Sequence, residues 1–407
     1  MKTCISLEEK IRNRTATIVV LGLGYIGFPT ALMFANGGFK VIGRDINKKT
    51  LDEIVRGRAY SYEPGLADFA KSAENNLEII DKMKEGDVYF LCIQTPLTEE
   101  KKADLTYLLN AARDVGKLLK RNNLVIVEST VPVGTTEKVR EVLSEISGIP
   151  TKEILVAHCP ERVIPTKLVN EITKNNRIIG GVDTESTKLA KMLYSTVIKG
   201  DVLETGSRVS ELTKLAENIY RDVNIALANE LSIICDKLGV NVFDVIRIAN
   251  THPRVNIHSP GSGVGGHCIP LDGYFLLSSL NDKNMCRLIL AARKVNNFKS
   301  LYIVKQILKA AAGKEKRIGI LGVTYKPDIN DVRETPAKII IEMLVKKGYN
   351  VLVYDPYTTE TFGGKVSTLE EVMNSDVIAV LTPHKDFEKI KARLKDKNII
   401  NPFEAQF

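Results

Sequence analysis

One cysteine stands in a setting that packing alone does not require. The segment GSGVGGHCIPLDGYFL, residues 261–276, sets Cys268 after a run of glycines and before a Pro-x-Asp, where a helix can begin. A cysteine at a helix N-terminus is favoured as the thiolate, the form that acts as a nucleophile. Pro270 suits a first helical turn, and the glycines are read as letting backbone approach a ligand. Asp272 follows Cys268 by four residues, so the two share a helical face. That carboxylate would lie within reach of a water or an adduct at the sulfur. A small buried hydrophobe is the common fate of a free cysteine, but it explains neither the glycines nor Asp272.

A second pair sits in ELTKLAEN, where Lys214 and Asn218 are also four apart on one helical face. A cation beside an amide donor can stabilise an oxyanion; a solvated surface pair is the plainer alternative. Further polar groups close apparent strands: Thr95 and Pro96 in CIQTP, Glu128, Ser129 and Thr130 in ESTVPVGTT, and Pro160, Glu161 and Arg162 in CPERVIP. Lys326, Asp331 and Arg333 lie in YKPDINDVRET.

These residues need a scaffold. ATIVVLGLGYIG is a β-branched run that meets Gly22, Gly24 and Gly27 and passes into a helical segment. In the G-x-G-x-x-G spacing the first glycine permits a tight turn, the second admits a pyrophosphate, and the third packs helix on strand. Asp45 ends the next strand, GFKVIGRDIN, where an acid can accept the ribose hydroxyls of NAD and would repel the extra phosphate of NADP. Strand alternation should point Arg44 away. DVYFLCIQTP, NLVIVEST and EILVAHCP continue the alternation of apolar runs with helices, which indicates βαβ units and a buried parallel sheet.

From about Ser207 to Leu238 the pattern becomes one long proline-free helix, suited to a spine or a dimer interface. RIGILGVTYKP, GYNVLVYDPY and SDVIAVLTPH then repeat the opening in outline without its full glycine pattern. The expected fold is α/β, two Rossmann-like doubly wound domains joined by a long central helix. The boundaries are 1–204 for an NAD-binding domain, 205–300 for a helical dimerisation region, and 301–407 for a domain binding a different nucleotide.

In this order the motifs resemble those of the UDP-sugar 6-dehydrogenase family, which includes UDP-glucose and GDP-mannose dehydrogenases. The segments GLGYIG, ESTVPVGTT, PERV, LTKLAEN, GVGGHC-x-P-x-D and KPDINDVRET carry the resemblance, from Gly22 to Arg333. It implies NAD as cofactor, a UDP-sugar held by the C-terminal domain, and a homodimer or higher homo-oligomer made by the central helix. It implies that Cys268 is the nucleophile in a four-electron oxidation of a sugar C6 alcohol to the carboxylate. Lys214 and Asn218 would stabilise the oxyanion and position water, Asp272 would help activate it, and Thr130 and Glu161 would join the same water network.

Cofactor contacts are expected from Gly22, Gly24, Tyr25, Ile26, Gly27, Asp45, Thr95, Pro96, Thr130 and Arg333. Substrate contacts are expected from Glu161, Arg162, Lys214, Asn218, Arg254, His258, Gly265 and Lys326. Arg254, in HPRVN, matches an arginine that reaches a neighbouring subunit's sugar nucleotide. PERV-x-P, NNRIIGG and HPRVNI together resemble the branch acting on UDP-N-acetyl-D-mannosamine; UDP-N-acetylglucosamine, UDP-N-acetylgalactosamine and UDP-glucose are the alternatives. UDP-glucose dehydrogenases carry a second glutamate four residues after the first, and here that position is Pro165. A water mechanism needing two glutamates therefore does not transfer, and glucose is the less favoured sugar.

Composition bounds the rest. The 407 residues are 44% apolar and 26% charged, with a formal net charge of +8. That modest basic excess suits small phosphorylated partners, and no basic block interleaved with aromatics points to nucleic acid. The start lacks an apolar secretory core, and no apolar run is long enough for a membrane span. The six cysteines lie far apart without a CxxC pair, a reduced cytoplasmic pattern. A metal hydrolase built on His158, His252, His258 and His267 lacks a ligand motif, so no metal is expected. A non-catalytic NAD-sensing regulator is disfavoured because Cys268, Asp272, Lys214 and Asn218 are all present.

Overall fold

The computed structural model describes residues 5–312 and 315–403; Cys4 lies outside them. Two compact units emerge, residues 1–215 with 274–281 and residues 216–273 with 282–407.

The first unit holds one sheet of β1 (Thr17–Leu21), β2 (Lys40–Arg44), β3 (Leu77–Ile80), β4 (Val88–Leu91), β5 (Leu124–Val127), β6 (Leu155–His158), β7 (Arg177–Gly181) and β8 (Val202–Gly206). Their spatial order is β3-β2-β1-β4-β5-β6-β7-β8. The order reverses between β1 and β4, the switch point at whose carboxyl end ligands collect. Pairing is parallel apart from β6 and β7, which meet antiparallel at Ala157 and Gly181. Alternate residues serve opposite layers. Ile18, Val20, Phe90 and Ile126 join one core, while Val19, Leu21, Tyr89, Leu91, Val125 and Val127 join the other. Burial on both faces is why these strands read as unbroken apolar runs.

The second unit begins inside the long helix, which spans Ser207–Leu238. Its five-stranded sheet comprises β9 (Arg317–Leu321), β10 (Asn350–Tyr354), β11 (Lys365–Val366), β12 (Val377–Val380) and β13 (Ile399–Ile400). All pairs are parallel, in the order β11-β10-β9-β12-β13. Here too the strands divide their residues, with Ile318 and Ile320 facing one core and Leu321 and Ile378 the other.

The repeat read from sequence extends to single hydrogen bonds. In the first unit Gly22 N–H donates to Arg44 O, and the Asp45 carboxylate accepts from Leu23 N at 2.7 Å and Asn47 N at 2.8 Å. In the second, Gly322 N–H donates to Tyr354 O, and Asp355 accepts from Val323 N at 2.7 Å and Tyr357 N at 2.8 Å. The copies then diverge. Buried His384 places Nε2 3.0 Å from Asp355 Oδ2, and among the described residues no side chain is bonded to Asp45 in that way.

Candidate active site

The glycine turn fits a dinucleotide by its own geometry. Gly22 has φ +85°, and a Cβ there would meet Cys92 O at 2.5 Å. A Cβ on Gly27 would fall 1.8 Å from Gly22 O, so this glycine seats the helix against the strand. Around Gly24 nothing lies within 4 Å of an added Cβ, which leaves the open approach a pyrophosphate needs. The helix Gly27–Asn36 starts here with no side-chain cap, so its N-terminus and dipole are left for an anion, although Phe28 N–H turns back to Gly24 O at 3.1 Å. Arg44 is turned aside as alternation requires, with Nη2 3.5 Å from Asp114 Oδ2. The contrast yields a prediction. Gly24→Ala should keep the wild-type Tm while NADH binding weakens, whereas Gly27→Ala should lose folded protein. Equal thermal loss in both variants, measured beside NADH titrations, would contradict this division of roles.

Behind the turn, Tyr25 OH donates to Glu63 Oε1 at 2.6 Å, and the same oxygen accepts Thr166 N at 2.7 Å. Ile26 precedes that helix as its N-cap. At the end of β4, Thr95 Oγ1 donates to Thr130 O at 2.8 Å, joining two segments that were singled out from sequence, with Pro96 next in the chain. Glu161 is buried. Its Oε1 accepts Arg162 N at 2.6 Å, its Oε2 pairs with Arg177, and its carbonyl accepts Lys214 Nζ at 2.6 Å. Lys214 lies in the first unit and is aimed by this backbone carbonyl. His158 uses both ring nitrogens, Nδ1 with Ser210 Oγ at 2.9 Å and Nε2 with Ser129 O at 3.2 Å. Burial drives its pKa down to about 3, so it is a neutral structural imidazole. Among the described residues no group of His, Cys, Asp and Glu is arranged to hold a metal.

Glu211 was not singled out from sequence. Its carboxylate accepts Gly134 N at 2.6 Å, Thr136 N at 2.7 Å and Thr136 Oγ1 at 2.6 Å, pinning the turn of ESTVPVGTT. Burial pushes its carboxyl up, while these donors favour the charged form. The signal was available: Ser210, Glu211, Lys214 and Asn218 make one stripe at helical spacing.

The second unit holds the thiol. Half-buried Cys268 directly precedes the helix Ile269–Ser278, and its carbonyl accepts Asp272 N at 2.9 Å. Asp272 is buried, and Asn218 Nδ2 donates to its Oδ2 at 2.6 Å. Thiol, carboxylate and amide are thereby placed by two helices. The glycines before Cys268 are required by packing. Gly266 has φ +87°, a Cβ on it would meet the Tyr325 ring at 2.8 Å, and one on Gly265 would meet Glu334 O at 2.8 Å. Gly266 N–H also donates to Arg333 O at 3.0 Å. The cysteine loop is therefore pressed against YKPDINDVRET, which leaves no room for side chains. Arg333 is itself held by Asp331, with Nε 2.9 Å from Oδ1, and the Lys326 carbonyl accepts Thr324 Oγ1 at 2.9 Å. His258 packs edge-on to Tyr220 at 6.0 Å, while Arg254 is exposed.

A phosphate turn answered by an acid, with a thiol set beside a carboxylate and an amide, defines an NAD-dependent oxidoreductase. The chain belongs to the UDP-glucose/GDP-mannose dehydrogenase family, whose NAD binding domain matches residues 16–198, central domain residues 208–298, and UDP binding domain residues 319–404. A UDP-N-acetyl-D-mannosamine dehydrogenase of Methanococcus maripaludis (strain C7) is 45% identical over 92% of this chain and 87% of its own. An NDP-N-acetyl-D-galactosaminuronic acid dehydrogenase of Ralstonia nicotianae is 39% identical over 95% of each chain. The solved UDP-D-ManNAc dehydrogenase of Pyrococcus horikoshii superposes with a TM-score of 0.87 at 39% identity, covering 95% of this chain and 93% of that one. NAD is the cofactor and a UDP-sugar the substrate. Among the described residues no helix is long and apolar enough to cross a membrane.

Proposed function

We propose that the chain oxidises C6 of UDP-N-acetyl-D-mannosamine from alcohol to carboxylate, a four-electron change consuming two NAD+ per sugar. The arrangement that carries this reading is Asp272, buried one turn after Cys268 and held at 2.6 Å by Asn218. NAD+, when bound at the glycine turn, supplies a hydride acceptor. Lys214, oriented by Glu161 O, stabilises the alkoxide formed as the alcohol loses its proton. Cys268 thiolate adds to the resulting aldehyde, and the thiohemiacetal retains it in the site through the second oxidation. The thioester is opened by a water activated by Asp272 or by Glu161 with Thr130, and Asn218 steadies the tetrahedral oxyanion. The choice of sugar is supported by relatives bearing that substrate's name.

The reading extends to a homodimer or higher homo-oligomer in the cytoplasm, with 1–204, 205–300 and 301–407 as cofactor, dimer and sugar-nucleotide regions. Tyr220, Leu227 and Ile234 repeat every seven residues along the long helix and are 52%, 43% and 46% exposed, which favours an interface there. The deciding experiment follows NADH against UDP-sugar consumed for the N-acetylmannosamine, N-acetylglucosamine, N-acetylgalactosamine and glucose nucleotides. Two NADH per UDP-N-acetylmannosamine, with this sugar fastest, is the expected outcome. A ratio of one, or preference for another sugar, overturns the assignment.

A further inference from the structure

Around Arg177 the first unit encloses two acids and one base. The side chains of Arg177 and Glu128 are 0% exposed and that of Glu161 is 4% exposed. Arg177 Nη1 lies 3.7 Å from Glu128 Oε1, while its Nη2 pairs with Glu161 Oε2 and donates to Ile172 O at 3.2 Å. Fully ionised, the group would carry one net negative charge away from water, which a low-dielectric interior penalises. One proton makes it neutral. Glu161 has the nearer cation, Arg177 Nη2, and also accepts the Arg162 N–H at 2.6 Å. Glu128 has mostly neutral company. From the end of β4 the Cys92 thiol donates at 3.1 Å, from the helix Thr184–Tyr194 the Tyr194 hydroxyl donates at 3.3 Å, and the Thr30 hydroxyl and Cys159 face it as well. Burial pushes Cys92, Cys159 and Tyr194 up, so none of them ionises near neutrality.

We propose that Glu128 carries the proton of this buried group and thereby decides whether Arg177 serves Glu161 alone or two carboxylates at once. It is a positioning residue, acting on the reaction through Arg177 and Glu161. Burial, the largest influence, pushes the Glu128 carboxyl up to about 7. Below that pH the guanidinium is committed to Glu161. Above it the cation is shared, Glu161 is held less tightly, and its carboxylate is freer to turn toward the hydrolytic water. This consequence rests on the proposed role of Glu161 in opening the thioester.

The test compares wild type with Glu128→Gln by two readouts. In the wild type the folded state holds a proton that the unfolded state has lost between 4.5 and about 7, so stability falls as pH rises through that window. Tm of E128Q should therefore gain on wild type from about pH 5 to about pH 8; a constant gap overturns the proposal. In single turnovers, wild-type acid release should rise severalfold across neutrality, and this step should vanish in E128Q. A step that persists in E128Q, or a loss by one factor at every pH, also overturns it. Should wild type release no acid from any UDP-sugar, the functional reading fails, and the thermal comparison still decides where the proton sits.

Discussion

Cys268→Ser should fold, bind NADH with wild-type affinity, and lose at least about 10³-fold in acid formation, the scale expected when a covalent nucleophile is removed. A hydroxyl is a far weaker nucleophile at neutral pH than a thiol favoured as thiolate by a helix N-terminus. The loss should fall after the first oxidation, so aldehyde or a stalled covalent adduct accumulates and NADH stops near one per sugar. Mass spectrometry of the quenched enzyme, beside NADH counting, reads both quantities. Acid made in full at the wild-type rate would remove the thiol from the chemistry and with it the purpose of the Asp272–Asn218 pair, bonded at 2.6 Å.

The largest effect on stability should come from Arg177→Met, which keeps the side chain's bulk and deletes its charge. Two buried carboxylates then lose their shared cation, and Tyr194 loses a guanidinium centred 5.5 Å from its ring. Breaking a buried pair from one side costs about 3–5 kcal/mol. For a unit of this size that is a fall in Tm on the order of 10 °C. The deficit should depend on pH with a definite sign. Glu128 already sits at about 7, and losing the cation raises it further. The folded state then keeps its proton over a wider window, and stability falls across more of the rising pH scale. Calorimetry should find the smallest deficit near about pH 5 and the largest above about pH 7. A uniform deficit would mean that shape, not charge, is what Arg177 contributes.

What sequence revealed, and where it stopped, follows from the range of each interaction. The three glycines of GLGYIG have the geometry their spacing predicted, because the turn is settled within six residues: Gly22 and Gly27 are crowded and Gly24 is open. The long helix occupies Ser207–Leu238, as its uninterrupted apolar period predicted. β7 and β8 were not legible as strands: RIIGG ends in two glycines, and VLETG is largely exposed, so neither shows a strand's pattern. The antiparallel turn between β6 and β7 went unseen for the same reason. The glycines before Cys268 were read as admitting a ligand; that their Cβ side is also crowded by Tyr325, Glu334 and Pro336, some sixty to seventy residues downstream, was not legible. Arg177 escaped notice although a lone arginine at the head of an apolar strand is itself a sign of a buried counter-charge. Its partners Glu128 and Glu161 were singled out, one by one, without the cation that joins them.

The path of the backbone bears on how this enzyme can be taken apart. The chain crosses between its two units after residues 215, 273 and 281. No single cut therefore yields two self-contained pieces, and the first crossing falls inside a continuous helix, between Lys214 and Asn218. A chimera made to exchange the second unit with a relative's would have to transplant 216–273 together with 282–407 and leave 274–281 at home. Modular swapping at a linker, routine for proteins strung like beads, has no purchase on this one.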